Sequence, residues 1–396
     1  MKPLRDYGLT PDRGYLCIFN AEEIVLEGDL ARAREIALSL PAILPTGRVR
    51  SLLEQRLPEF DIAKALAACS DAQARMAMVH YSFMVQAYVW GEPEPIKLLP
   101  RCLAVPMAAL AEHLGQQPLL PYSGYVLDNW AKVDPEGEIT LDNIRMLQHF
   151  LGGQDEAWFV LIHVAIEAKA GGVLARMPQI VEAAQAGDRA SLHRLLSETA
   201  AIWAEINAIF DRMPERCDPY VYFNRVRPYI HGWKDNPAYP EGIIYEGVGP
   251  ADAGGQAYRG QTGSQSSIVP AMDALMGVGH AQDPMKAFLD ELHIYRPPEH
   301  RRFIEDLRAE STLRGVVAEA DDAALTAAYN ANIQAVADFR SRHLEYAASY
   351  INKQSGQATG NDTDVGTGGT PFMRYLKKHR DETRERLLPV REAALA

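Results

Sequence analysis

His343 stands in a segment whose apolar residues fall three and four apart. Val336, Phe339, His343, Leu344, Ala347, Tyr350 and Ile351 form one stripe of a helix over 335–351, and Arg342, Glu345 and Ser349 take the opposite face. A neutral imidazole on a buried helix face is what a haem protein offers to iron from the proximal side. The same placement suits a core histidine bonded to a carbonyl, and periodicity alone does not separate the two. His163 poses a similar choice. It sits within Trp158-Phe-Val-Leu-Ile-His-Val-Ala-Ile-Glu167, surrounded by apolar residues, where it either faces a ligand or is structural. Most of the other histidines need no special role. His193, His300 and His379 lie among charged residues and are expected on solvated faces; His80, His113 and His149 fall within helical patterns.

Helices must position these groups. Ala-, Leu-, Glu- and Arg-rich patterns, broken at Gly and Pro, predict helices over 60–69, 73–90, 101–115, 140–151, 155–176, 190–213, 323–352 and 371–385. Strand-like runs are short: Tyr15 to Phe19, and Gly242 to Tyr245. There is no run of βαβ units, which excludes a doubly wound sheet, and no internal repeat. The fold class expected is all-α. Two long loops interrupt it, 246–267, rich in Gly, Ser and Gln, and 354–370, richer in Gly and Thr; loops of this length in a compact domain tend to carry function or to be disordered. A boundary is expected near 130–140, giving a small, mostly helical domain over 1–135 and a large helical domain over 136–396.

Composition narrows the field. Of 396 residues 47% are apolar, enough for a substantial core. The net charge of -12 disfavours nucleic acid and anionic membrane surfaces as partners. No continuous apolar run of about 18 residues marks a membrane span, and the N-terminus lacks the apolar stretch of a secretory signal. Cys17, Cys69, Cys102 and Cys217 are isolated, with no CxxC pair, so neither a zinc knuckle nor a disulfide framework is suggested. A cytoplasmic location is expected; the oligomeric state is open.

Several short segments, in one order, resemble the indoleamine 2,3-dioxygenase family. They are Ala87-Tyr-Val-Trp-Gly91; Leu127-Asp-Asn-Trp130 with Asp134-Pro135; Trp158-Phe159 running into Ile166-Glu-Ala168; Phe223-Asn-Arg-Val-Arg-Pro-Tyr229 with Gly232-Trp233 and Gly242-Ile-Ile-Tyr-Glu-Gly247; Gly260-Gln-Thr-Gly-Ser-Gln-Ser-Ser267; Phe339-Arg-Ser-Arg-His343 with Tyr350-Ile351; and Gly366-Thr-Gly-Gly-Thr370 with Phe372-Met373. Each is weak alone, but the ordered set spans about three quarters of the chain.

The resemblance implies an all-helical domain binding haem b, a smaller N-terminal domain over it, and His343 as the iron's proximal ligand. It implies that Arg340 and Asp273 lie near a haem propionate, where a guanidinium fork suits carboxylates, and that the stretch holding Ser264 borders the distal haem face. Arg227 matches the arginine that binds the substrate carboxylate, and Thr367 a threonine of a mobile Gly-rich loop at the substrate's amino-acid end. Phe159, Tyr222 and Phe223 match pocket aromatics; Tyr122 and Tyr125 match the small-domain loop over the pocket; Thr262 and Gly263 fall in its distal border. Residue by residue, an interior ion pair and plain core aromatics are the alternatives.

Three departures bear on chemistry. His163 stands where family members commonly carry a small hydroxyl residue. In the related tryptophan 2,3-dioxygenases a distal histidine contacts the indole N–H; here His163 could do that, bond to oxygen, or ligate the iron. Gly260-Gln261-Thr262-Gly263 replaces Gly-Gly-Ser-Ala, and Tyr222 replaces a common phenylalanine. The reaction implied is insertion of both atoms of dioxygen into an indole C2–C3 bond, with L-tryptophan giving N-formylkynurenine. Rearrangement or oxygenation of a modified tryptophan, a haem-binding sensor, and a haem-free helical scaffold are the rival readings.

Overall fold

The computed structural model describes residues 1–250, 254–282, 284–354, 367 and 372–390. The all-α expectation holds, with two small strand pairs added. The N-terminal part is built of α1 (Gly28–Leu38), α2 (Leu40–Ile43), α3 (Val49–Arg56), α4 (Ile62–Ala68), α5 (Asp71–Trp90) and α6 (Arg101–His113). A capping box starts α5: the Ser70 hydroxyl accepts from Gln73 N, and the Gln73 side chain reaches back to Ser70 N. Nearly every residue of α5 after its first turn is buried, so it is the spine of this part.

Residues 140–151 are not helical. β2 (Trp130–Lys132) pairs antiparallel with β3 (Ile144–Met146), and the hairpin straddles the expected 135/136 boundary. The reason is turn chemistry: the Asn143 amide donates to the carbonyls of Asp134 and Glu138 and its oxygen accepts from Asp134 N, which closes the turn where a helix would have to begin. Tyr15 to Phe19 is not a strand either. It is a buried connection held by Arg13, whose guanidinium donates to the carbonyls of Cys17 and Phe19. The expected strand at Gly242 to Tyr245 is present as β4 (Ile244–Tyr245), parallel to β1 (Leu98–Leu99).

Two long helices form the wall of the larger part. α7 (Gln154–Ala186) runs on past the predicted 176 to a left-handed Gly187 at φ 67°. Its length and hydropathy suit a membrane-crossing helix, but most of it is buried inside the protein. α8 (Arg189–Asp211), capped by Asp188 on Ser191 N, packs back along it. After α9 (Pro219–Val221), α10 (Ile268–Met276), α11 (Pro284–His293), α12 (Pro298–Glu310) and α13 (Leu313–Glu319), helix α14 (Ala323–Tyr350) lies against α8, and α15 (Phe372–Arg384) lies against α14. The N-terminal segment crosses α7 tightly. A Cβ on Gly14 (φ +60°) would sit 2.0 Å from the Glu167 carbonyl, so only glycine permits the crossing. One continuous buried apolar cluster includes residues from both parts. His300, expected in solvent, is buried in it with its ring 4.7 Å from Tyr15.

Candidate active site

Helical spacing puts Phe159, His163 and Glu167 on one face of α7. On α14 it brings Phe339, Arg340 and His343 to the opposing wall. Between these helices lies a cavity of about 560 Å³, lined by His163, Glu167, Phe339, Arg340 and His343, by Tyr122, Gly263, Ser264, Ser266, Asp273 and His280, and by apolar groups that include Ile166, Phe210, Ile268 and Leu376. Exposed lining residues that include Gly279, Gln282, Asp290 and Arg308 mark the mouth.

The two histidines are set up differently. His163 Nδ1 is 2.7 Å from the Phe159 carbonyl. A carbonyl only accepts, so Nδ1 carries the proton and Nε2 keeps its lone pair. Burial lowers the His163 pKa, which keeps the ring neutral. His343 is partly exposed only because it borders the cavity. Burial pushes its pKa down to about 4, with His163 and Arg340 adding repulsion, so at neutral pH the imidazole is uncharged.

Arg340 and Asp273 form a fork, with Nη1 3.2 Å from Oδ1 and Nη2 2.6 Å from Oδ2. Arg340 also donates to the Thr383 hydroxyl. Burial opposes ionisation of Asp273, but Arg340 and His280 outweigh it and hold the carboxyl at about 2. The network extends from His280 (Nε2 3.3 Å from Asp273) through its Nδ1 to Glu382 at 2.6 Å. His379, expected in solvent, is buried and stacked on His280 with centroids 4.3 Å apart.

Two cavity groups were not singled out in the sequence. Glu167 is fully buried. Its Oε1 accepts from Tyr122 Oη at 2.8 Å and Ser266 Oγ at 2.6 Å, while Oε2 has no hydrogen-bond partner among the described residues. Burial raises its pKa to about 7 against the pull of those hydroxyls. Among the described residues, Arg296, 3% exposed, donates only to neutral acceptors. A helical-wheel reading marks Glu167 as lining the same face as His163; nothing local marks Arg296.

Of the sequence-predicted residues, Tyr122, His163, Gly263, Ser264, Asp273, Arg340 and His343 line the cavity. Phe159 packs on His163 (4.8 Å), with Tyr222 (4.7 Å) and Tyr125 (6.4 Å) around it. Tyr125, Phe159, Tyr222, Phe223, Arg227, Thr262 and Thr367 fall outside the lining. Arg227 is fully buried, with its guanidinium 5.5 Å from the Phe223 ring centroid. Thr262 Oγ1 accepts from Ser264 N, and Thr367 Oγ1 donates to the Gln261 carbonyl at 2.6 Å. A Cβ on Gly260 would meet Gly232 N at 2.2 Å and the Thr367 carbonyl at 2.4 Å, so glycine alone lets these segments close together. The rest of the predicted 354–370 loop, beyond Gln354 and Thr367, lies outside the described residues.

These features define a class: a helical protein with a histidine-walled cavity, open at a mouth, on the scale of a prosthetic group. The indoleamine 2,3-dioxygenase family model matches residues 3–386. The chain is 33% identical to indoleamine 2,3-dioxygenase 1 of Rattus norvegicus, over 89% of this chain and 88% of that one. It is 32% identical to indoleamine 2,3-dioxygenase 2 of Mus musculus, again over 89% and 88%. It is 29% identical to the indoleamine 2,3-dioxygenase of Saccharomyces cerevisiae, over 97% and 94%. The chain belongs to the indoleamine 2,3-dioxygenase family and is an oxidoreductase.

Proposed function

We propose that the protein holds haem b through His343 and uses dioxygen to cleave the C2–C3 bond of L-tryptophan or a related indole, giving an N-formylkynurenine-type product. The observation that carries this reading is the placement of His343 and His163 on the lining of one cavity, where burial favours the neutral form of His343. The donor chemistry fits haem: one neutral imidazole on the proximal helix, apolar walls, and a buried guanidinium, that of Arg296, lacking a carboxylate partner among the described residues. When bound, ferrous haem supplies the activation of dioxygen. The chain's own residues do the rest. His163, with Nδ1–H committed to a carbonyl, presents Nε2 as an acceptor and takes the indole N–H. Phe159, Tyr222 and Phe223 hold the indole plane, Tyr122 and Tyr125 back the pocket, and Thr262 and Gly263 border it. Arg227 and Thr367 anchor the amino-acid end, Arg227 as a bidentate clamp on the carboxylate. Orientation is the main contribution. We place the protein in the cytoplasm, on its four unpaired cysteines, and read 1–135 and 136–396 as its two domains.

The test is to reconstitute with haem, reduce, add L-tryptophan in air, and take the product mass. A gain of two oxygens supports the reading. A haem spectrum with an unchanged or singly oxygenated product from a modified tryptophan supports the second reading, for which the basic His163 and the hydroxyl of Tyr222 are the reasons. A haem spectrum that responds to ligands without turnover would make it a sensor.

A further inference from the structure

Arg296 sits in the turn between α11 and α12 and lines the cavity. Its Nη2 donates to the Ser264 carbonyl at 2.7 Å and its Nε to the Ser266 carbonyl at 3.3 Å; Nη1 lies 3.4 Å from His293 Nδ1. These partners satisfy hydrogen bonds and supply no negative charge. Two other buried arginines are treated differently: Arg340 is paired with Asp273, and Arg259 with Asp235 and Glu291. Burial pulls the Arg296 pKa down to about 10, which still leaves it charged at neutral pH. A charge kept out of water without a counter-ion is strongly unfavourable. Arginine has no accessible neutral form to retreat to. The neighbouring cavity cations do not help. Lys286 is engaged with Asp290, and Arg308 at the mouth adds positive charge.

We infer that Arg296 is the counter-ion for a carboxylate of the bound prosthetic group, a haem propionate directed toward the cavity mouth. The inference rests on the haem reading above. It assigns Arg296 a role that Arg340 cannot share equally, because Asp273 already neutralises Arg340. The carbonyls of Ser264 and Ser266 hold the guanidinium in place before haem arrives, so its charge is preorganised. A carboxylate is the shared chemistry of a propionate and of an amino-acid substrate, and the experiment separates them.

The experiment compares binding of haem and of haem dimethyl ester, whose propionates are neutral, to wild type, Arg296→Gln and Arg296→Lys, followed by Soret absorbance and by transfer to a haem-scavenging protein. Arg296→Gln is expected to weaken haem binding by about tenfold or more and to leave ester binding unchanged, with Arg296→Lys restoring much of the loss. Equal losses for haem and ester would make Arg296 a structural clamp on the 264–266 turn and overturn the inference. Unchanged haem affinity with a raised KM for L-tryptophan but not for indole would make the substrate the source of the carboxylate, and also overturn it. Wild type that binds neither haem nor ester would sink the haem reading itself. Far-ultraviolet circular dichroism of each variant separates these outcomes from misfolding.

Discussion

The cavity has two arginine-bearing sides, and they solve the same electrostatic problem in opposite ways. Arg340 is neutralised within the protein: Asp273 meets it with both oxygens, and His280 and Glu382 continue the network. Arg296 is held by carbonyls and has no carboxylate partner among the described residues. The first arrangement is complete without a ligand and ties α10, α14 and α15 together. The second is complete only when something anionic enters. Burial of a charged residue therefore does not by itself mark a binding site; what matters is whether the fold has already supplied the opposite charge.

The largest expected effect breaks the complete side. Asp273→Asn leaves Arg340 buried without its counter-charge and is expected to destabilise the protein by about 3–5 kcal/mol, read by urea unfolding. The pH dependence follows the same pair. Asp273 is held at about 2 against an ordinary 3.8, so its contribution is fully present above pH 3.8 and is lost as pH falls toward 2. The variant should lack that acid transition; a wild-type-like acid profile would show that the network does not hold the fold.

Smaller effects sharpen the contrast on the distal wall. His163→Ala is expected to lower kcat/KM on indole substrates by about ten- to a hundredfold, the scale of losing a buried hydrogen bond to substrate, and to lower it much less on 1-methyl-substituted ones. Equal losses on both would remove the N–H contact from the account. Glu167 gives the smallest effect. Its pKa is raised from 4.5 to about 7, so the folded state is progressively penalised as pH rises from 4.5 to 7 and carries the full penalty above. Glu167→Gln should flatten stability over that window, measured by Tm at a series of pH values; an unchanged slope would mean the carboxyl is not the group responsible.

How far the sequence could be read differed along the chain in the same way. The α14 stripe was legible because helical periodicity and burial agree: Val336, Ala347 and Tyr350 are buried, and Phe339 and His343 border the cavity. The hairpin over 130–146 was not, because one asparagine, Asn143, closes the turn and overrides a helix-like composition. His300 and His379 sit among charged neighbours in sequence, yet Tyr15 and His280, far away along the chain, cover them. Arg296 lies between Tyr295 and Pro297 with no local pattern, and its meaning comes entirely from the carboxylate that the fold does not provide.

The most direct test of the central claim is the haem spectrum of His343→Ala beside wild type, both reconstituted, reduced and exposed to carbon monoxide. The account predicts a strong Soret band for wild type that shifts with carbon monoxide, and weak or absent haem retention for the variant, with added imidazole restoring a wild-type-like spectrum. A variant that holds haem as tightly as wild type, with the same ferrous carbon monoxide spectrum, would contradict His343 as the iron's ligand and with it the orientation of the whole site.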